Sequence, residues 1–139
     1  TKMKASKHFQ APSAAGASDI VLVSSDNIRY NLHLKNLETA SQFVSDMVNG
    51  ATRREDETIN LTSKETERAA IVDLVAPYFY NVPQPRLDKE KLTKVCDVLA
   101  MSHKFGIYRA HDAAGVELSR REFSADVAFQ LYCLAMKYE

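Results

Sequence analysis

Ile20 to Val23 is an unbroken apolar run, the pattern of a strand buried on both faces. Ile28, Tyr30, Leu32 and Leu34 then alternate with Arg29, Asn31 and His33, a period of two that lays one face of a second strand on a core. The residues between them read "SSDN", and Asp26 and Asn27 tolerate the left-handed backbone of a tight turn. The pattern therefore predicts a β-hairpin. Beyond it, Leu37, Ala40, Val44 and Met47 fall at helical spacing, with Gly50 placed to end the helix. Ser41 either caps a second helix or divides the run into two short ones. "TINL", Thr58 to Leu61, supplies a third strand.

Thr62 and Glu65 stand in the spacing of a capping box. Ala70, Ile71, Leu74 and Val75 form the apolar face that follows, and Pro77 stops or kinks that helix. "PYFYNVPQPRL" lacks P-x-x-P spacing and reads as a helix end packed into the core, then a tight connection. Asp88 is placed to cap a helix in which Leu92, Val95, Cys96, Leu99 and His103 repeat at three and four, with Gly106 as its C-terminal cap. Ala110, Ala113, Ala114 and Leu118 predict another helix, weakened by Gly115. Between Val127 and Tyr138 only Gln130 and Lys137 are strongly polar. A helix apolar all round needs cover on every side, from a partner or from further helices. Residues 1–18 show little periodicity; "APSAAGAS" reads as flexible linker, with Met3, His8 and Phe9 as its bulky groups. No repeat of fixed period is present. The expected fold is α+β: a small three-stranded sheet with a β-hairpin, capped by about five or six helices. It divides into a flexible segment 1–18, a folded domain 19–123, and the start of a helical extension at 124–139.

Composition changes this picture little. The 139 residues carry 18 basic and 18 acidic side chains, so no net field attracts nucleic acid or an anionic membrane. "TRRED", Thr52 to Asp56, neutralises itself locally. No apolar run approaches the roughly 20 residues that span a bilayer. Cys96 and Cys133 sit in apolar helical contexts without a C-x-x-C partner; of the two readings, a disulfide between them or two buried free thiols of a reducing, intracellular compartment, the second fits better. The chain opens on Thr1 and stops within an apolar helical pattern, as a piece of a longer polypeptide would.

Candidate chemistry is sparse. Ser24, Ser25, Asp26 and His33 lie close in sequence, but the hairpin spends the first three on its turn and carries His33 to the far end of the second strand. A catalytic triad needs hydrogen-bond contact among its members. His8, His33, His103 and His111 have no second ligand at metal-site spacing, and His103, on an apolar helical face, reads as a core histidine. The four glycines are isolated, so no glycine-rich phosphate cradle exists. Glu65 and Glu67 read as charges that favour a helix start. No catalytic residue, cofactor or metal site is expected.

"SDIVLVSSDNIRYNLHLKNLETASQFVSDMV" resembles the opening of the BTB/POZ domain, above all the large fungal group of BTB proteins, with Asp19, Ser24, Ser25, Asp26, Tyr30, Leu32, His33, Leu37, Ser41, Asp46 and Met47 in matching order. Tyr80, Lys104, Phe105 and Gly106 occupy later places of that pattern, and "ADVAFQLYCLAMKYE" is similar to the start of its helical extension. The resemblance spans about residues 18–139, with departures at Leu34 and at Ser41 to Val44. It implies a BTB/POZ-like domain with Asp19, His33, Leu37 and Ser41 as structural motif residues. The implied function is non-catalytic protein–protein interaction, with a hetero-partner or a second copy. Candidate contacts are Phe43, Met47 and Val48, and, in the extension, Phe129, Cys133 and Met136. The alternative it carries is a substrate adaptor for a cullin-based ubiquitin ligase. The loop where the apolar-x-Glu motif of cullin recruiters falls reads "NGATRREDET", without a match.

Overall fold

A computed structural model of the chain describes residues 4–12, 16–50 and 58–121. Strands β1 (Lys4–Ala5), β2 (Ile20–Val23), β3 (Ile28–Leu32) and β4 (Thr58–Asn60) form one mixed sheet in the order β1-β3-β2-β4. The hairpin pairs Ile20 with Leu32 and Leu22 with Tyr30, which places four buried side chains on one face. Its turn closes through Asn27 N–H on Ser24 O at 3.0 Å, with Asn27 at φ 65°, the left-handed conformation that Asn tolerates.

The sheet has four strands, not three. Lys4 and Ala5 pair parallel to Ile28 and Arg29, and Ser6 N–H continues the pairing onto Arg29 O. Two exposed residues at an edge carry no alternation for a sequence reading to detect. The second strand of the hairpin also ends two residues earlier than the alternation suggests. Asp19 Oδ1 accepts the Leu34 N–H at 2.7 Å, and helix α1 (Leu34–Ala40) begins there. Leu34 is buried as a helical residue, so the alternation continues in composition but not in conformation.

Ser41 divides α1 from α2 (Gln42–Gly50). Its backbone is extended, and its hydroxyl donates to Phe105 O at 2.7 Å while accepting Val44 N–H at 3.3 Å. The second helix of this pair is thus capped at its own N-terminus. Helix α3 (Ala69–Val75) starts later than the Thr62–Glu65 spacing suggests, and Glu67 is the residue that reaches back, its Oε1 accepting Thr62 N–H at 3.3 Å. Pro77 turns the end of α3 into a 3₁₀ turn, Ala76–Phe79, and Tyr78, Phe79 and Tyr80 are buried in the core.

Helix α4 (Leu92–Lys104) is preceded by Lys91 at the cap position. Asp88 does not cap it; its carboxylate is held by Arg86 at 3.0 and 3.1 Å in the preceding turn. Val95, Val98, Met101 and Ser102 define the deeply buried face of α4. That stripe is rotated from the one the spacing suggests, and it leaves His103 exposed instead of in the core. Helix α5 (Tyr108–Arg120) packs on α4 through buried Ala110, Ala114 and Leu118. The core thus lies between one sheet face and the helices, with Leu32, Leu37, Ile71, Val72, Val75, Val95 and Val98 almost sealed from solvent. Among the described residues no helix is long and apolar enough to cross a membrane.

Candidate functional site

The hairpin polar residues fall into two separate structural clusters. Ser24 Oγ donates to Asp26 Oδ1 at 2.5 Å and accepts Ile28 N–H at 2.9 Å. Asp26 Oδ1 also accepts the Ala69 N–H at 2.8 Å, so the turn caps the first residue of α3. Burial pushes the Asp26 carboxyl up, but donation from Ser24, Ala69 and its own backbone, with Arg68 nearby, brings it below the usual carboxylate range.

His33 is buried elsewhere. Its Nε2 lies 2.9 Å from Gly16 O, and its Nδ1 and backbone N–H lie 2.8 and 3.0 Å from Tyr80 Oη. A carbonyl only accepts, so Nε2 carries the proton. Nδ1 then accepts from the Tyr80 hydroxyl, whose oxygen accepts the His33 N–H. Burial pushes that hydroxyl up to about 12, opposed by the His33 N–H and helped by nearby Asp19. With both ring nitrogens engaged, His33 has no lone pair to offer Ser24 or Ser25. Ser25 Oγ is buried without a hydrogen-bond partner, and nothing activates it.

Of the residues expected to meet a partner, Phe43, Met47 and Val48 share α2. Phe43 is 45% exposed and leans edge-on against Phe105, with ring centroids 5.1 Å apart. Met47 and Val48 are half-buried and pack against the core. The seam between Phe43 and the core has only about 20 Å³ of free space, too little for a ligand. The chemistry available on this surface is burial of apolar area. Phe129, Cys133 and Met136 lie outside the described residues.

The structure adds two residues that the sequence reading passed over. Tyr108 and Val116 project from α5 with exposures of 61% and 57%. Their signal was there to read: both lie off the alanine face, two helical turns apart. His103 and His111 approach with ring centroids 5.7 Å apart, joined by the turn between α4 and α5. Among the described residues no three or more His, Cys, Asp or Glu side chains gather as a metal site would need. Cys96 is buried and free, its thiol pushed up by burial and by the Asp97 charge. Phe9, in the segment expected to be linker, packs on the Tyr80 ring at 5.9 Å, while His8 is exposed. Compared with protein-family models and with curated proteins, the chain matches none.

Proposed function

We propose that the chain is a non-catalytic protein-interaction module of BTB/POZ type, intracellular, which self-associates through the surface around α2. The observation that carries this reading is Phe43, a large aromatic left nearly half in solvent on a helix whose Met47 and Val48 are only half-buried. Supporting it, the elements follow the order that the resemblance implies: hairpin, two short helices broken at Ser41, a further strand, then helices. The four motif residues hold that framework together. Asp19 opens α1, His33 ties β3 to Tyr80, Leu37 is core, and Ser41 caps α2. Aromatic residues, Phe among them, are enriched at protein–protein interfaces relative to the rest of the surface.

The test is mass in solution by light scattering over a dilution series, with Phe43→Glu alongside. The expected wild-type mass is twice 15.6 kDa. The variant is expected at the monomer mass with its circular dichroism unchanged. A wild-type chain that is monomeric at every concentration would refute self-association and move the interface to a different protein.

A further inference from the structure

A cavity of about 300 Å³ is lined by Lys35, Asn36 and Thr39 of α1, by Tyr78 and Phe79 of the 3₁₀ turn after α3, and by Arg109 of α5. Its volume is that of a small-ligand site. Asn36 Nδ2 donates to Phe79 O at 3.2 Å, so two of the walls are tied together in the free protein. No Asp or Glu is among the described residues lining the cavity. Lys35 and Arg109 are exposed, and among the described residues neither forms an ion pair. Glu38 and Asp112, one helical turn along from each, pair with neither; Asp112 lies by His111 at 3.9 Å. Tyr78 supplies the third polar group. The residue is only 3% exposed, yet its hydroxyl makes no hydrogen bond and is not sealed from solvent as Ser25 Oγ and Arg29 Nε are. The little surface that Tyr78 keeps therefore includes its hydroxyl. The ring also borders a second cavity, which holds Arg86, Asp112 and Glu117. The charge that acts on the phenol is nevertheless that of Arg109, which opposes the upward push of burial. That places the hydroxyl on the Arg109 side, with a proton to donate and no acceptor among the described residues to take it.

We infer that this cavity binds the phosphoryl group of a phosphate monoester. Lys35 and Arg109 match its two negative charges from different walls, and the Tyr78 hydroxyl donates to one of its oxygens. A monoester is close to a dianion at neutral pH and offers three terminal acceptor oxygens, one for each of these donors. A carboxylate or a phosphodiester brings one charge and two terminal oxygens, which leaves one cation unmatched and one donor idle. The monoester belongs either to a free small molecule or to a phosphorylated side chain of a peptide.

The experiment follows the amide resonances of Asn36, Thr39 and Arg109 in the ¹⁵N-labelled full chain during titration with phenyl phosphate, benzoate and diphenyl phosphate. Phenyl phosphate is expected to shift them saturably, and the two monoanions to bind about tenfold more weakly or worse, as the loss of one charged contact predicts. Lys35→Gln and Arg109→Gln should each weaken phenyl phosphate by about tenfold while Tm stays at the wild-type value, since neither side chain has a partner to lose. Tyr78→Phe is the sharpest variant. A hydroxyl held for the fold would lower Tm when removed and leave the Kd alone. A hydroxyl held for the ligand leaves Tm unchanged or raised and weakens binding by about tenfold. No saturable shift up to about 50 mM phenyl phosphate, well past a millimolar Kd, overturns the proposal. Equal binding of either monoanion, or a Tyr78→Phe chain that binds as tightly as wild type or melts lower, overturns it as well. A blocked alanine pentapeptide with phosphoserine at its centre distinguishes the sources: binding about tenfold tighter than phenyl phosphate assigns a phosphorylated side chain, and equal or weaker binding assigns a free small molecule.

Discussion

Glu67 is fully buried, although it reads in the sequence as one more charge at a helix start. One carboxylate oxygen accepts Thr62 N–H at 3.3 Å and the other accepts Lys104 Nζ at 2.9 Å, while its carbonyl accepts Ser25 N–H at 2.9 Å. The Lys104 side chain is 53% exposed, so water screens one side of the pair and its worth falls well below that of a sealed one. Replacing Glu67 by Ala is expected to cost about 2 kcal/mol, from the lost acceptors and the cavity left behind. A lower urea midpoint at unchanged slope would register it. Nothing within a helical turn of Glu67 reveals this role, because Lys104 is 37 positions away. His103 escaped for a related reason. Leu92, Cys96, Leu99 and His103 share a helical stripe, but only tertiary packing decides that the Val95–Val98–Ser102 stripe faces inward. Ser41, by contrast, accepts the Val44 N–H three positions on, and that capping half of its role was legible.

Among the elements, α4 and α2 are joined end to start. Gly106 N–H bonds His103 O at 3.3 Å and Ile107 N–H bonds Ser102 O at 2.8 Å, the paired bonds of a Schellman ending. The carbonyls this ending exposes then receive the first amides of α2: Gln42 N–H on Gly106 O at 3.1 Å and Phe43 N–H on Phe105 O at 3.2 Å. Orphan acceptors of one helix thus satisfy orphan donors of another. Gly106 sits at φ +61°, and a Cβ there would come within 2.7 Å of the Gln42 Cβ. Gly106→Ala is therefore expected to destabilise by about 2 kcal/mol or more, combining the left-handed penalty with the clash. Thermal unfolding reads this directly. Loss of the α2 cap should also broaden the amide signals of Gln42 and Phe43. Gly106 as a helix end was visible in the sequence. Its use as the seat of α2 was not, since 64 positions separate Gln42 from it.

For the whole molecule, acid is the informative stress. A carboxyl whose folded pKa is depressed contributes stability above its unfolded value near about 4, and that contribution is lost as the pH falls through the folded value. Asp26 is such a group, joining the hairpin turn to α3. Asp26→Asn should lower the urea midpoint at neutral pH and flatten the acid limb, so that the two proteins converge below about pH 3. Parallel stability curves across that range would refute the link. The α+β class and the placement of most elements could be read from periodicity. The edge strand β1 could not, because two residues carry no period. Nor could the parallel pairing of β4 with β2, because the sheet order is set by crossovers.

The strand order also governs how the molecule is made. β2 and β3 are adjacent in sequence, and four residues close their hairpin. β4 must return across α1 and α2 to reach β2, and β1 must wait for β3, which comes after β2. Non-local pairings pay their loop entropy before they gain contacts. During synthesis the N-terminal part emerges first, and the hairpin can close while α4 and α5 are still untranslated. Its apolar face then lacks the cover of the last two helices. Tyr30 and Leu32 reach their full burial only once the core they share with Ile71, Val75 and Val95 has been made.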